Sequence, residues 1–225
     1  MNVLIFGATG MLGQGVLREC LRDPDVRRVI VVGRSATGRH HEKLHEIVQP
    51  DVTDLSRLDP ELRDVQACFF CLGVSSAGMT EDRYTHLTYE LTMSVARQLA
   101  RINQDMTFVY VTGAGTDRTG QGRSMWARVK GRTENALLAL PFRAAYMFRP
   151  GLVQAGEGIR SKTRLYRVLY VVMAPLVGLL RRLFPNQVTT TEEIGRAMIA
   201  VARTGYEKRI LESPDIRAAA GSRYP

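Results

Sequence analysis

The chain opens on a pattern that leaves few folds available to it. Val3–Phe6 is a short apolar run, Gly7, Gly10 and Gly13 follow at three-residue spacing, and Gln14–Leu21 is compatible with a helix. Strand, tight glycine turn and helix N-terminus in that order make the first unit of a dinucleotide-binding α/β sheet. Gly7 can take the backbone angles of the turn, Gly10 lets the main chain approach a pyrophosphate without a Cβ in the way, and Gly13 lets the helix lie close to the strand. The unpaired N–H groups and the positive dipole end of the helix then face the anion. Gly7, Thr9, Gly10, Met11, Leu12 and Gly13 are therefore candidate cofactor-binding residues.

The rest of the chain continues the alternation. Further strand-like runs stand at Val29–Val32, Glu46–Val48, Val65–Cys71, Thr107–Val111 and Ala144–Phe148, with helical patterns at about 11–22, 81–102 and 124–140. Several runs are continuously apolar, as expected of strands buried on both faces of a parallel sheet. The expected fold class is α/β, a doubly wound, mainly parallel Rossmann sheet with a small C-terminal helical substrate region. Residues 1–150 are expected to form the dinucleotide-binding core. Residues 151–225 are expected to form a substrate-side region packed on the same domain. In that region 162–184 is hydrophobic and flanked by arginines, and Thr190-Thr191-Glu192-Glu193 resembles a capping box before a helix at 192–203. A short strand, Arg209–Leu211, and a polar tail follow.

Composition narrows the class further. At 225 residues, 45% hydrophobic and 24% charged, the chain has the make-up of a globular protein with one sizeable core. The start at residue 2 on a strand, without a basic lead or cleavage-site pattern, gives the expectation of a cytoplasmic protein. Cys20, Cys68 and Cys71 make no disulfide framework. Cys68 and Cys71 sit three apart in a strand pattern, on opposite faces, which suits core cysteines and not a redox pair. His40, His41, His45 and His86 lack partners at a convincing ligand spacing, so no metal is expected. The net charge of +9 is almost entirely arginine and comes with no nucleic-acid motif, so no nucleic-acid partner is expected. The stretch Val168–Leu180 is too short to span a bilayer, and a buried or subunit-contacting helix is favoured there over peripheral membrane contact through 162–184. The expected assembly is a monomer or homodimer with an unknown small-molecule substrate.

The end of the second strand bears on which dinucleotide. Many NAD sites place a carboxylate there for the ribose 2′-hydroxyl; this chain has Gly33-Arg34-Ser35. A guanidinium pairs bidentately with a 2′-phosphate, so Arg34, with Ser35, points to NADP over NAD.

Gly7, Gly10 and Gly13, Gly33-Arg34, Asp51-Val52, Cys71-Leu72-Gly73 and Arg149-Pro150-Gly151 together resemble the short-chain dehydrogenase/reductase superfamily. The likeness is to its extended and atypical branches, which include epimerase/dehydratase-like proteins and the Tat-interacting-protein-like subgroup, and it covers residues 1 to about 212. The resemblance implies Asp51 and Val52 near the adenine, Cys71, Leu72 and Gly73 beside the ribose and pyrophosphate, and Pro150 to Leu152 near the nicotinamide. It also implies a catalytic Tyr-x-x-x-Lys helix with an upstream Ser or Thr. The matching segment is Trp126-Ala127-Arg128-Val129-Lys130, after Thr112, so lysine is present and tryptophan stands in the tyrosine's place. Lys130, Thr112 and Trp126 are the candidate catalytic residues, with Lys130 also at the ribose. An indole offers no acid–base equilibrium at neutral pH, so another proton donor is required; Tyr84 and His86 are candidates, and Ser75 and Ser76 could bind phosphate, ribose or substrate. The expected function is an NADP-dependent oxidoreductase acting on a small carbonyl or alcohol. The alternatives are a catalytically weak NADP(H)-binding regulatory or scaffold protein and a nucleotide-sugar epimerase.

Overall fold

The computed structural model describes residues 1–156 and 188–221. In chain order the elements are β1 (Asn2–Phe6), α1 (Met11–Arg22), β2 (Arg28–Gly33), β3 (Leu44–Val48), α2 (Asp59–Leu62), β4 (Ala67–Phe70) and α3 (Glu81–Thr85). A π-helical turn, His86–Glu90, joins α3 to α4 (Leu91–Ile102), followed by β5 (Thr107–Val111), α5 (Met125–Leu138), β6 (Ala144–Arg149) and β7 (Leu152–Gln154). Beyond residue 187 come β8 (Val188–Thr190), α6 (Thr191–Thr204), β9 (Ile210–Glu212) and α7 (Ser213–Gly221).

Seven strands form one sheet in the order β3-β2-β1-β4-β5-β6-β9, and every neighbouring pair runs parallel. This is the doubly wound α/β arrangement expected from the sequence. The two-residue period of the strands sorts their side chains between two cores. Val3, Ile5, Val29, Val31, Phe69 and Phe148 pack against α1, α6 and α7 through Val16, Ile194, Met198 and Ile216. Leu4, Phe6, Ile30, Cys68, Phe70, Phe108 and Met147 pack against the other layer through Leu62, Val95, Leu99 and Leu137. A row of rings crosses this second face: Phe6 to Phe70 at 5.3 Å between centroids, Phe70 to Phe108 at 5.8 Å and Phe108 to Phe142 at 5.1 Å. Phe6, Phe70 and Phe108, fully buried, each contribute roughly 1.5–3 kcal/mol through the area removed from water.

Several boundaries differ from the sequence expectation. β3 begins at Leu44, two residues before Glu46, because pairing with β2 from Val29↔Leu44 onward carries polar His45 into the strand. The helical pattern at 81–102 is interrupted by the π turn, and α2 is a short helix the periodicity did not reveal. The polar tail after Leu211 folds as α7, whose Ile216 and Ala219 join the first core. β7 and β8 form a separate parallel pair. The capping box at the start of α6 is present: Thr190 Oγ1 accepts from Glu193 N at 3.1 Å, and Glu193 Oε2 accepts from Thr190 N at 2.7 Å. The hydrophobic stretch 162–184, with the question of membrane contact, lies outside the described residues. No helix among the described residues is long and apolar enough to cross a membrane.

Candidate nucleotide site

The sheet order reverses at β1, whose neighbours are β2 on one side and β4 on the other. At such a switch point the loops leaving the carboxyl ends part and leave a crevice. Here the two loops nearly touch. Gly7 has φ +80°, and a Cβ on it would lie 2.7 Å from Cys71 C and 2.8 Å from Leu72 N. A Cβ on Gly13 would overlap the Gly7 carbonyl oxygen. Gly10 N donates to Gly7 O at 2.9 Å, closing the turn, and Gln14 Nε2 donates to Thr9 O at 3.1 Å. Gly10, itself exposed, caps α1 without any side-chain hydrogen bond. The N–H groups of the first helical turn, from Met11, Leu12 and Gly13, therefore remain available to an anion. The close backbone approach at Gly7 and Gly13 and the uncapped start of α1 suit a dinucleotide pyrophosphate.

The end of β2 forms one side of this edge. Arg34 follows Gly33 directly, is exposed, and makes no ion pair with the described residues; Ser35 is exposed beside it. After β3 the chain turns at Asp51, whose Oδ1 accepts from Thr53 N at 2.8 Å and Thr53 Oγ1 at 2.7 Å. These bonds hold the Asp51 carboxyl below the usual aspartate range. Val52 is buried in the second core, which pins the loop.

On the other side, the ends of β4, β5 and β6 bring the remaining candidates to the same edge. Cys71, Leu72 and Gly73 leave β4, with Cys71 N donating to Phe6 O at 3.0 Å. Burial pushes the Cys71 thiol up to about 12, which keeps it protonated. Pro150 is buried after β6; its carbonyl accepts from Ala114 N at 3.0 Å, and Gly151 N donates to Ser213 Oγ at 2.8 Å. Ser75 is exposed and Ser76 half-buried in the loop beyond Gly73.

α5 carries Trp126, Lys130 and Glu134 at four-residue spacing, so the three share one helix face. Lys130 Nζ donates to Thr112 O at 3.0 Å and to Val111 O at 3.4 Å, at the carboxyl end of β5. Burial lowers the Lys130 ammonium to about 8, against an opposing pull from Glu134. Trp126 is half-buried. Its six-membered ring lies over the loop after β5, with ideal Cβ positions on Gly113 and Gly115 falling 3.9 and 3.8 Å from Cζ3 and Cη2.

Thr112 departs from the placement expected of a catalytic hydroxyl. It is only 8% exposed, and its Oγ1 donates to Glu134 Oε1 at 2.7 Å, away from the crevice. The next residue, Gly113, has no side chain to replace it. Tyr84 is also unsuited to the proton-donor role considered for it. It is 2% exposed in the core, and burial raises its phenol above the ordinary value. His86 Nδ1 lies 2.7 Å from Glu90 Oε2 on the exposed face of the π turn.

Sequence reasoning missed the group behind Thr112. Glu134 is fully buried and clamped by Arg149, with Nε to Oε1 at 2.9 Å and Nη2 to Oε2 at 2.5 Å. Arg149 Nη1 reaches on to Glu212 Oε1 at 3.3 Å, tying α5, β6 and β9 together. The available signal was an arginine closing an apolar strand and a glutamate one turn beyond Lys130. Among the described residues no cluster of three metal-ligating side chains occurs.

Comparison with known proteins agrees with this architecture. Residues 3–119 match the NAD dependent epimerase/dehydratase family. The chain is 30% identical over 165 residues to the mitochondrial protein FMP52 of Saccharomyces cerevisiae, covering 72% of this chain and 69% of that one. It is 30% identical over 168 residues to the mitochondrial protein fmp52-1 of Aspergillus oryzae, again covering 72% and 69%. Among solved structures, a UDP-N-acetylglucosamine 4-epimerase from Methanobrevibacter ruminantium superposes with a TM-score of 0.69 at 15% identity, covering 94% of this chain and 75% of that one. A short chain dehydrogenase family protein from Francisella tularensis gives 0.66 at 17% identity, covering 97% and 98%. These two likenesses concern the fold. The expectation of a cytoplasmic protein is overturned by the sequence relatives, whose names place them in mitochondria. On the family match and the shared architecture, the chain belongs to the NAD dependent epimerase/dehydratase family.

Proposed function

We propose that this protein binds NADP(H) across the Gly7–Gly13 turn and acts as an oxidoreductase on a small carbonyl or alcohol, using a proton donor other than residue 126. The observation that carries the reading is the convergence on one sheet edge of the close-packed glycine turn, an exposed Arg34 and a half-buried Lys130. Arg34 and Ser35 would bind the 2′-phosphate, Asp51 and Val52 would flank the adenine, and Cys71, Leu72 and Gly73 would line the ribose and pyrophosphate. Pro150 would stand at the nicotinamide end, and Lys130 at its ribose. When bound, such a cofactor supplies or accepts hydride. The chain's own part is to orient it, exclude water behind Trp126, and hold a proton on Lys130 Nζ. No nucleic-acid partner is part of this reading.

Specific observations favour a second reading, in which NADP(H) occupancy serves regulation and turnover is slight. Trp126 offers no acid, the Thr112 hydroxyl is committed to Glu134, and Tyr84 is sealed in the core. One experiment separates the two. The protein is incubated with NADPH and a panel of aldehydes, ketones and quinones, beside Trp126→Tyr. Turnover by the wild type supports the oxidoreductase. Activity confined to the tyrosine variant supports the regulatory reading, and failure to bind NADPH removes both.

A further inference from the structure

Glu134 is a costly residue to place where it stands. A fully buried carboxylate must be paired and hydrogen-bonded, and replacing such an ion pair by apolar residues of equal volume is often neutral or stabilising. Its presence therefore asks for a positional reason. Both oxygens are in use, Oε1 on Thr112 Oγ1 and Arg149 Nε, and Oε2 on Arg149 Nη2. Thr112 is the connecting piece. Its hydroxyl donates to Glu134 at 2.7 Å while its carbonyl oxygen accepts from Lys130 Nζ at 3.0 Å. The carboxylate and the ammonium, one helical turn apart on α5, are thus joined through a single residue of β5's carboxyl end.

We propose that Glu134 is a positioning residue that, through Thr112, holds the Lys130 ammonium at the nucleotide edge and keeps it charged. The inference rests on the proposed cofactor reading, in which Lys130 meets the ribose. Burial works against that charge and Glu134 works for it. The other groups facing this cluster are the Tyr110 ring on β5, 5.9 Å from Lys130 Nζ, and Arg149 on β6 with Glu212 on β9 behind it. Tyr84 on α3 stands near Tyr110, and burial raises both phenols, so neither ionises in the range where Lys130 titrates.

The test follows NADPH binding to the full chain between about pH 7 and about pH 9.5, above the range where a phosphate monoester titrates. In the wild type, affinity falls as pH rises through about 8, where Lys130 discharges. Glu134→Gln keeps the shape but removes the negative charge and leaves Arg149 paired with Glu212 alone, so the fall moves to lower pH by about one unit. That corresponds to about tenfold weaker binding on the alkaline side. Thr112→Val breaks the mechanical link without altering charge. It weakens binding severalfold at every pH and leaves the midpoint in place. Lys130→Met gives a flat profile. A folded Glu134→Gln protein with the wild-type midpoint overturns the inference, as does a Lys130→Met protein that keeps the fall. If Glu134→Gln does not fold, the nitrogen resonance of Lys130 Nζ decides the matter in the wild type and Thr112→Val. In Thr112→Val the resonance shifts or broadens while its midpoint stays at the wild-type value, and a resonance unchanged in position and width overturns the inference. The same resonance distinguishes the two failures, because it titrates whether or not NADPH binds.

Discussion

The residue that ties fold to chemistry here is Lys130, and its charge state has a consequence for stability. Its ammonium is lowered from 10.5 to about 8 by burial. Between those values the unfolded chain carries a proton that the folded chain has released, so stability rises with pH across that interval. Below about pH 8 both states are charged and the full cost of burying the ammonium is felt. Lys130→Met removes that cost. In urea titrations the variant should exceed the wild type most below pH 8, and the gap should close as pH approaches 10.5. A gap that widens with pH would contradict the assigned direction. Lys130 was legible from its place four residues after Trp126. Thr112 was legible in position but not in orientation, because nothing in its own segment reveals that Glu134 waits behind it. Tyr84 misled for a related reason: on a helix periodicity gives a face, while the π turn that follows resets which face is inward.

At the scale of elements, β1, the turn and α1 separate structural from functional glycines. A Cβ at Gly13 would overlap the Gly7 carbonyl oxygen, which is backbone and cannot swing away. Gly13→Ala should therefore lose about 1–3 kcal/mol of stability, the usual range for overpacking. A Cβ at Gly10 would lie 3.3 Å from the same oxygen and otherwise project toward the open side of the turn. Gly10→Ala should keep most of its stability while losing nucleotide affinity by tenfold or more. Thermal unfolding beside NADPH titration checks both, and equal losses of stability in the two variants would sink the distinction. This unit was the most legible part of the chain, because strand, turn and helix signals all lie within about twenty contiguous residues. The pairing of β7 with β8 and the docking of β9 on β6 join distant segments, and local pattern carries no information about such partners.

For the whole molecule, the parallel sheet gathers the cofactor-binding candidates at the carboxyl ends of its strands, and α6 and α7 return from the far end of the sequence to complete the first core. Alternation of apolar runs with helical periods made the doubly wound architecture readable in the sequence. The Glu134–Arg149–Glu212 clamp was not readable, since Glu134 on α5 and Glu212 on β9 meet only at Arg149 on β6, and folding alone brings the three together. The central claim is that NADP(H) lies across the glycine turn with its 2′-phosphate on Arg34. Calorimetric titration of the wild type and Arg34→Ala with NADPH and with NADH tests it most directly. A charge-assisted hydrogen bond contributes about 1.5–3 kcal/mol, so the variant should lose about tenfold to a hundredfold in affinity for NADPH and little for NADH. Equal losses for both nucleotides, or no binding of either to the wild type, would contradict the account.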